Sequence, residues 1–487
     1  MLFNSFEFLV FFPVVTLLYF MLPHAYRWLL LLVASCVFYM FFIPEYILIL
    51  FFTIVIDYIA GIMIENTTDK KRLFLVISII SNVSILAFFK YFNFFNDSVR
   101  DVAEAIGWNY GIDNLAIILP IGLSFHTFQA MSYTIEVYRG KQKAERHFGI
   151  YSLYVMFYPQ LVAGPIERPQ NMLHQFHEKH TFNYDAAKSG LILMGWGLIK
   201  KVVIADRLAT FVNPVFDHPE NYTGYNIMLA ALFFAFQIYC DFSGYSSIAI
   251  GTARVMGFKL MTNFETPYFS KSISEFWSRW HISLSTWFKD YLYIPLGGNR
   301  VSTPRWYFNL FIVFIVSGFW HGANWTFIIW GAIHGLLLII EQLIKRVANN
   351  KLPKQTLITT LIRTSICFIL VTIAWIFFRA ATTTQALLML NKVFFENTFI
   401  TGFVKPMLSF SFNKIQYVIP LKYLLMCFGC VVFLQVVEYL NLKYNFRNFF
   451  FSLKTNSFLK WSIYFCMVLV FILYGVFNKS SFIYFQF

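Results

Sequence analysis

Stretches of apolar residues long enough to cross a bilayer follow one another along almost the whole chain, and this leaves few folds open. A hydrocarbon layer about 30 Å thick calls for about 20 helical residues. Windows of that kind lie at 4–22, 26–43, 45–64, 73–92, 115–135, 190–213, 225–251, 308–320 continuing to 341, 359–378, 420–440 and 460–478. They predict an all-α integral membrane protein of about 11 transmembrane helices, a single polytopic domain over residues 1–487. Of the 487 residues 58% are hydrophobic and 13% charged, where soluble domains carry about 25% charged residues. A soluble chain this apolar would need one core well beyond the roughly 250–300 residues at which cores stop growing. No hydrophilic stretch approaches domain length, which excludes a separate soluble catalytic or nucleic-acid-binding domain. The segment 148–163 is shorter and ends in Gly164-Pro165. It reads as entering the membrane region and returning, a backbone tolerated only where protein or a water-filled cavity covers it.

The chain carries 38 Lys and Arg against 24 Asp and Glu, a net charge of +14. In a membrane protein such an excess belongs to cytoplasmic loops; affinity for a phosphate-bearing donor is a further use for it. Loop 65–72 holds Lys70, Lys71 and Arg72, loop 93–114 holds Asp97, Asp101, Glu104 and Asp113 against Arg100, and loop 139–146 holds Arg139, Lys141, Lys143 and Arg146. These alternate inside, outside, inside, and counting back puts the N-terminus outside. Its apolar run contains Glu7 and meets no Lys or Arg before Arg27, so it reads as a retained first helix and not as a signal peptide. Basic clusters recur at Lys200, Lys201 and Arg207 and at Lys345, Arg346, Lys351 and Lys354. No internal repeat of the kind common in secondary transporters is visible.

Glycine-rich phosphate loops and the strained serine elbow of hydrolases are missing from the sequence. The six cysteines lie in or beside apolar segments and read as small buried hydrophobes; Cys427 and Cys430 have redox spacing without a second pair. His174, His177 and His180 occupy a polar connection with no fourth ligand at diagnostic spacing, so no metal site is expected.

The run from 264 to 300 is more informative. Phe276, Trp280, Leu284, Trp287 and Tyr291 recur at helical intervals, while Glu275, Arg279 and Lys289 fall elsewhere. That split predicts an interfacial helix with its aromatics toward lipid or protein. His281 sits beside Trp280, and Pro295, Gly297 and Gly298 then break the helix and turn the chain back. After the apolar stretch 308–319 comes Phe319-Trp320-His321-Gly322-Ala323-Asn324-Trp325. An ionisable His at the inner end of an apolar span is costly in lipid and is by default a functional candidate; the alternative is a His that bonds two helices. Imidazole suits proton transfer near neutral pH. The candidate catalytic residues are therefore His321 and His281. Trp320, Trp325, Asn324, Trp280 and Arg279 are the candidate substrate-binding residues, and Gly322 permits close approach. His334 would stand about 20 Å from His321 along an unbroken helix and could assist only if that helix breaks. Asp57, Lys90, His126, Glu136 and Asp241 read as satisfied contacts between helices.

At these residues the chain resembles the membrane-bound O-acyltransferase family, and within it the bacterial branch of alginate O-acetylation and D-alanine export proteins. The blocks that carry the resemblance are LPIGLSFHTFQAMSYTIEVYRG from Leu119, FYPQLVAGPIERP from Phe157, KKVVIADRLA from Lys200, YCDFSGYSSIAIGTARVMG from Tyr239, the aromatic run from Asn263 to Arg300, SGFWHGANWTFIIWGAIHG from Ser317, AWIFFRA from Ala374 and the closing FIYFQF. Together they cover nearly the whole chain.

The resemblance implies re-entrant and interfacial helices in a ring around a funnel that is thin at its centre. It places the family's essential histidine at His321 and its second polar position at His281, 40 residues earlier. His126 departs from the family pattern and receives no role. Also implied are an O-acyltransferase, most readily an acetyltransferase, in the bacterial inner (cytoplasmic) membrane, and an acyl donor at the cytoplasmic face, acetyl-CoA or an acyl carrier thioester, with no bound cofactor. An extracytoplasmic hydrolase-like partner would complete transfer to a surface polysaccharide such as alginate. The length and the aromatic ending favour acetyl over D-alanyl transfer, and peptidoglycan suits as acceptor equally well. The rival of another class is a transporter or flippase whose intramembrane histidines relay protons; a scaffold for polysaccharide secretion is a third.

Overall fold

The computed structural model describes residues 1–162, 164–349, 356–396, 418–444, 457–476 and 482–483, and among them helix is the only regular secondary structure. Lys351, Lys354, residues 484–487 of the closing FIYFQF and residues 477–478 of the last window lie outside the described residues. Among the described residues six helical stretches are long and apolar enough to cross a membrane: Pro44–Asn66, Lys71–Ala105, Gly224–Val255, Trp325–Val347, Leu357–Arg379 and Leu421–Tyr444. Phe6–Met21, His24–Met40 and Trp461–Tyr474 are apolar but shorter. The chain packs as two units, one formed by Met1–Met194 with Tyr245–Thr262 and the other by Gly195–Gly244 with Asn263–Phe487.

The first unit begins with α1 (Phe6–Met21), capped by Ser5 accepting from Phe8 N, and α2 (His24–Met40). α3 (Ile47–Asn66) and α4 (Lys71–Leu86) follow, joined through the turn at 67–70. α4 does not stop where the hydropathy falls. A π-helical turn, Ala87–Tyr91, carries it into α5 (Phe92–Ala105), giving one 35-residue helix about 52 Å long. The window at 115–135 is not a full span. Its first part is irregular, and α6 (Leu123–Tyr138) starts only after Gly122, whose φ of 78° and close approach to Leu161 O (2.7 Å from an added Cβ) admit no larger residue. α6 is buried almost throughout, so its apolar residues face protein. The segment read as entering and returning is two short buried helices, α7 (Phe148–Met156) and α8 (Tyr158–Leu161), followed by α9 (Pro169–His177). α10 (Tyr184–Leu198) passes α12 (Gly224–Val255) at Gly190 and Gly251, where an added Cβ on either would fall within 2.7 Å of the other's carbonyl oxygen. Small residues at such crossings let helix backbones touch.

In the second unit a π-helical turn, Ile199–Ala205, leads to α11 (Asp206–Asp217). The aromatic run forms α13 (Ile273–Arg279) and α14 (Ile282–Phe288), which corrects the reading of one continuous helix. The backbone breaks at His281, in the left-handed region at φ 44°, because residues 263–265 lie alongside: Ile282 N donates to Asn263 O and Glu265 N to Arg279 O, each at 2.9 Å. Phe276, Trp280, Leu284 and Trp287 are buried in protein. α15 (Thr303–His321) and α16 (Trp325–Val347) are likewise two helices where one was expected to continue to 341. Gly322 is extended and Asn324 caps α16 by accepting from Thr326 N. The two then fold against each other, with Gly318 against Phe327 O and Gly331 against Phe314 O. α17 (Leu357–Arg379), α18 (Thr383–Phe395), α19 (Leu421–Tyr444) and α20 (Ser457–Tyr474) follow.

Candidate active site

His281 is fully buried, and its surroundings define which ring nitrogen carries the proton. Asn263 Oδ1 accepts from the Ser283 backbone N–H at 3.2 Å and from Ser283 Oγ at 2.9 Å. A backbone N–H can only donate, so that atom of Asn263 is the oxygen. His281 Nδ1 lies 3.2 Å from the same oxygen and must therefore be the protonated nitrogen. Burial pushes the imidazole down to about 3, which keeps it neutral near pH 7 and leaves Nε2 as the basic nitrogen. Its ring meets Phe242 edge-on at 4.6 Å and Trp320 at 6.5 Å.

His321 ends α15 and is also buried. Trp320, Trp330 and Phe378 stand at 5.0, 5.1 and 5.4 Å, each steeply inclined to the imidazole. Trp320 thus contacts both histidines. The break after His321 also draws His334 in. His334 also meets Trp330, at 5.0 Å, and accepts from Trp277 Nε1 at 3.3 Å. The separation expected of an unbroken helix does not apply, since α15 and α16 run back against each other. Trp280 stacks on Phe276 at 5.5 Å and meets Trp375 at 5.0 Å.

The structure therefore gathers His321, His281, Trp320 and Trp280, and gives the other candidates different neighbours. Asn324 caps α16 and donates to Ala381 O at 2.9 Å. Trp325 is 55% exposed. Arg279 pairs with Glu275 at 2.7 Å. Asn263, Trp330, Trp375 and Phe378 join the site without having been singled out in the sequence. Asn263 opened the aromatic run, but its role depends on a pairing across residues 263–283 that carries no periodic signal.

Below Phe242 lies a buried ionic cluster: Lys201 bridges Asp206 at 2.9 Å and Asp241 at 2.5 Å. Asp241 Oδ2 also accepts from Ile483 N at 2.7 Å, and Phe482 contacts Phe242 at 5.7 Å. Three more of the polar residues singled out in the spans find partners within the first unit. His126 Nε2 lies 2.6 Å from Thr53 Oγ1, Asp57 accepts from Ser78 Oγ and Asn82 Nδ2, and Glu136 pairs with Arg139 and accepts from Gln170. His177 pairs with Glu145, and His180 lies 2.9 Å from Gln175 O.

Comparison with known proteins agrees with the resemblance. The model of MBOAT, the membrane-bound O-acyltransferase family, matches residues 147–383, a span that holds both candidate histidines. The chain is 41% identical over 385 residues to the "Probable alginate O-acetylase AlgI" of Pseudomonas aeruginosa, across 78% of this chain and 72% of that protein. It is 37% identical over 395 residues to the "Peptidoglycan O-acetyltransferase" of Helicobacter pylori, across 75% and 72%. With the "Teichoic acid D-alanyltransferase" of Streptococcus thermophilus it shares 29% identity over 256 residues, across 48% and 60%.

Proposed function

Because the chain belongs to the membrane-bound O-acyltransferase family, we propose that this multi-pass O-acyltransferase carries acetyl from a thioester at the cytoplasmic face of the bacterial inner membrane to an acceptor outside, for O-acetylation of a surface polysaccharide. Greater identity to proteins named for acetyl transfer (41% and 37%) than to one named for D-alanyl transfer (29%) supports acetyl as the cargo. Acetyl-CoA fits as donor on physical grounds. Its phosphates stay in water near basic loops, since one charge at the bilayer centre costs at least about 2.5–3.5 kcal/mol. Only the small neutral acyl group has to travel.

His321 acts as general base. It takes the proton of the acceptor hydroxyl as the oxygen attacks the thioester carbonyl; the tetrahedral intermediate collapses, the C–S bond breaks, and the imidazolium returns its proton to the leaving thiolate. Such a base contributes about 10²–10⁴ in rate. Two roles suit a second imidazole, orienting the donor or steadying the developing charge. A neutral ring with Nδ1–H committed to Asn263 presents an acceptor at Nε2, which favours orientation of an N–H or O–H group over stabilisation of an oxyanion. Trp320, in contact with both rings, excludes water between them. On the far side an extracytoplasmic partner receives the acetyl group and completes transfer to polymer such as alginate or peptidoglycan.

The observation that carries this reading is a buried imidazole at the end of an apolar helix, walled by Trp320, Trp330 and Phe378 and one ring away from a second imidazole whose tautomer is set. The test uses the full chain in vesicles with labelled acetyl-CoA and a small hydroxyl acceptor. Thiol release and acetyl ester formation should proceed together and disappear in His321→Ala. Equal rates in that variant, or movement of label without bond cleavage, would refute it.

A further inference from the structure

The helix Lys71–Ala105 is longer than a membrane needs, and its surplus is built in a particular way. α3 has 20 residues, about 30 Å, the thickness of the hydrocarbon layer. Its first turn is level with the π-helical turn of the long helix: the Tyr46 ring meets Phe89 at 6.2 Å, and Tyr46 Oη donates to Ile118 O at 2.5 Å. At 1.5 Å per residue, Ile106 then stands about 25 Å past Phe89, several times the depth of a headgroup layer. The turn at the opposite end of α3 and α4 carries Lys70 and Lys71 and belongs in the cytoplasm. α5 therefore rises into the water outside.

The projection is rigid. Residues 108–118 run back along α5 and are tied to it: Asn93 exchanges hydrogen bonds with both backbone groups of Leu115 at 2.9 Å, Asn96 Nδ2 donates to Asn114 Oδ1 at 2.7 Å, and Arg100 donates to Ile112 O at 2.8 Å. One side of α5 is nevertheless apolar and bare. Val99, Val102 (61% exposed) and Ile106 (72%) share a face at i, i+3 and i+7, and Trp108 and Ile112 are exposed on the returning segment. The opposite side carries Asp97, Asp101 and Glu104. Lipid does not reach this height, and two copies meeting here would bring like charges together.

We infer that α5 and the segment returning along it are the docking surface for a separate protein outside the membrane, one offering an apolar groove in a basic surround. A helix presenting i, i+3, i+7 anchors seats in such a groove, and the carboxylates steer its approach. The inference rests on the proposed function in one respect: the docked protein is the one that takes up the acetyl group.

The test compares full-length chains in cells and in vesicles. In Val102→Glu/Ile106→Glu, acetate on surface polymer in cells should fall at least tenfold, while acetyl-CoA turnover onto a small hydroxyl acceptor in vesicles stays within twofold of the parent. Asp101→Lys/Glu104→Lys, wholly on the surface, should lower polymer acetate severalfold with the same unchanged turnover, and Val102→Leu/Ile106→Leu should change neither. A photoreactive benzoylphenylalanine at position 106 should crosslink to a protein other than this chain, and the adduct should fade in the charge-reversed background. Full polymer acetylation in both disruptive variants, or crosslinks only to lipid or to a second copy, would overturn the inference. Failure of the proposed function shows separately, as a parent chain with no turnover from acetyl-CoA or one indifferent to His321→Ala.

Discussion

His126 in the first unit and His321 in the second are both buried imidazoles in helices, and the protein holds them in different ways. Around His126 the polar groups answer one another across α3, α4 and α6: Thr53 to the imidazole, Ser78 and Asn82 to Asp57, and Thr134 to Ser78. Around His321 stand the rings of Trp320, Trp330 and Phe378, each steeply inclined to the imidazole. A polar residue in a span is glue when a polar residue on the adjacent helix is matched to it. An imidazole set among aromatic walls is the kind of costly burial that the proposed function puts to use.

The contrast can be broken by experiment. His321→Ala should lower acetyl transfer about 10²–10⁴-fold with membrane insertion unchanged, whereas His126→Phe should leave turnover per folded molecule within about twofold; equal losses, measured as labelled acetyl ester in vesicles, would erase the distinction. Asp57→Leu strands the hydroxyl and amide that served it and should cost about 1–3 kcal/mol of stability, read as a lower melting temperature in detergent at undiminished turnover. Asn263→Leu frees the His281 tautomer and should slow transfer per folded molecule about tenfold, the worth of one good hydrogen bond; it also strands the Ser283 N–H and hydroxyl, so its melting should fall about as far as that of Asp57→Leu. The smallest effect is on pH dependence. The folded protein keeps His281 neutral down to about 3, so below the ordinary value of about 6.5 the unfolded chain takes up that proton first and stability falls as the medium is acidified. Between pH 6.5 and 5.5 the parent should lose about 1 kcal/mol more than His281→Phe; parallel melting curves would show that the ring is already hydrated.

Apolar windows in the sequence located most of the helices because lipid and protein core impose the same demand for apolar side chains. The same ambiguity misled at 115–135, where α6 is sheathed in protein after Gly122 breaks the backbone. Hydropathy is equally blind to the surplus of α4 and α5, since the far end keeps helical periodicity while leaving the membrane. Among the candidate site residues, His321 stands out in the sequence on cost alone: an ionisable group at the end of an apolar stretch. The breaks at His281 and at 322–324 were not, because the first is imposed by residues 263–265 lying alongside and the second by closure of α15 on α16 through Gly318 and Gly331. His334 and Asn263 were missed for the same reason, their neighbours being set by tertiary folding.

The backbone at position 281 has its own consequence. A φ of 44° suits glycine or asparagine and costs an imidazole-bearing residue about 1 kcal/mol or more. Any selection that rewards heat resistance alone should therefore drift to asparagine at that position, and the survivors should be sturdier and slower. Persistence of histidine there through such a regime would speak for the role proposed for it.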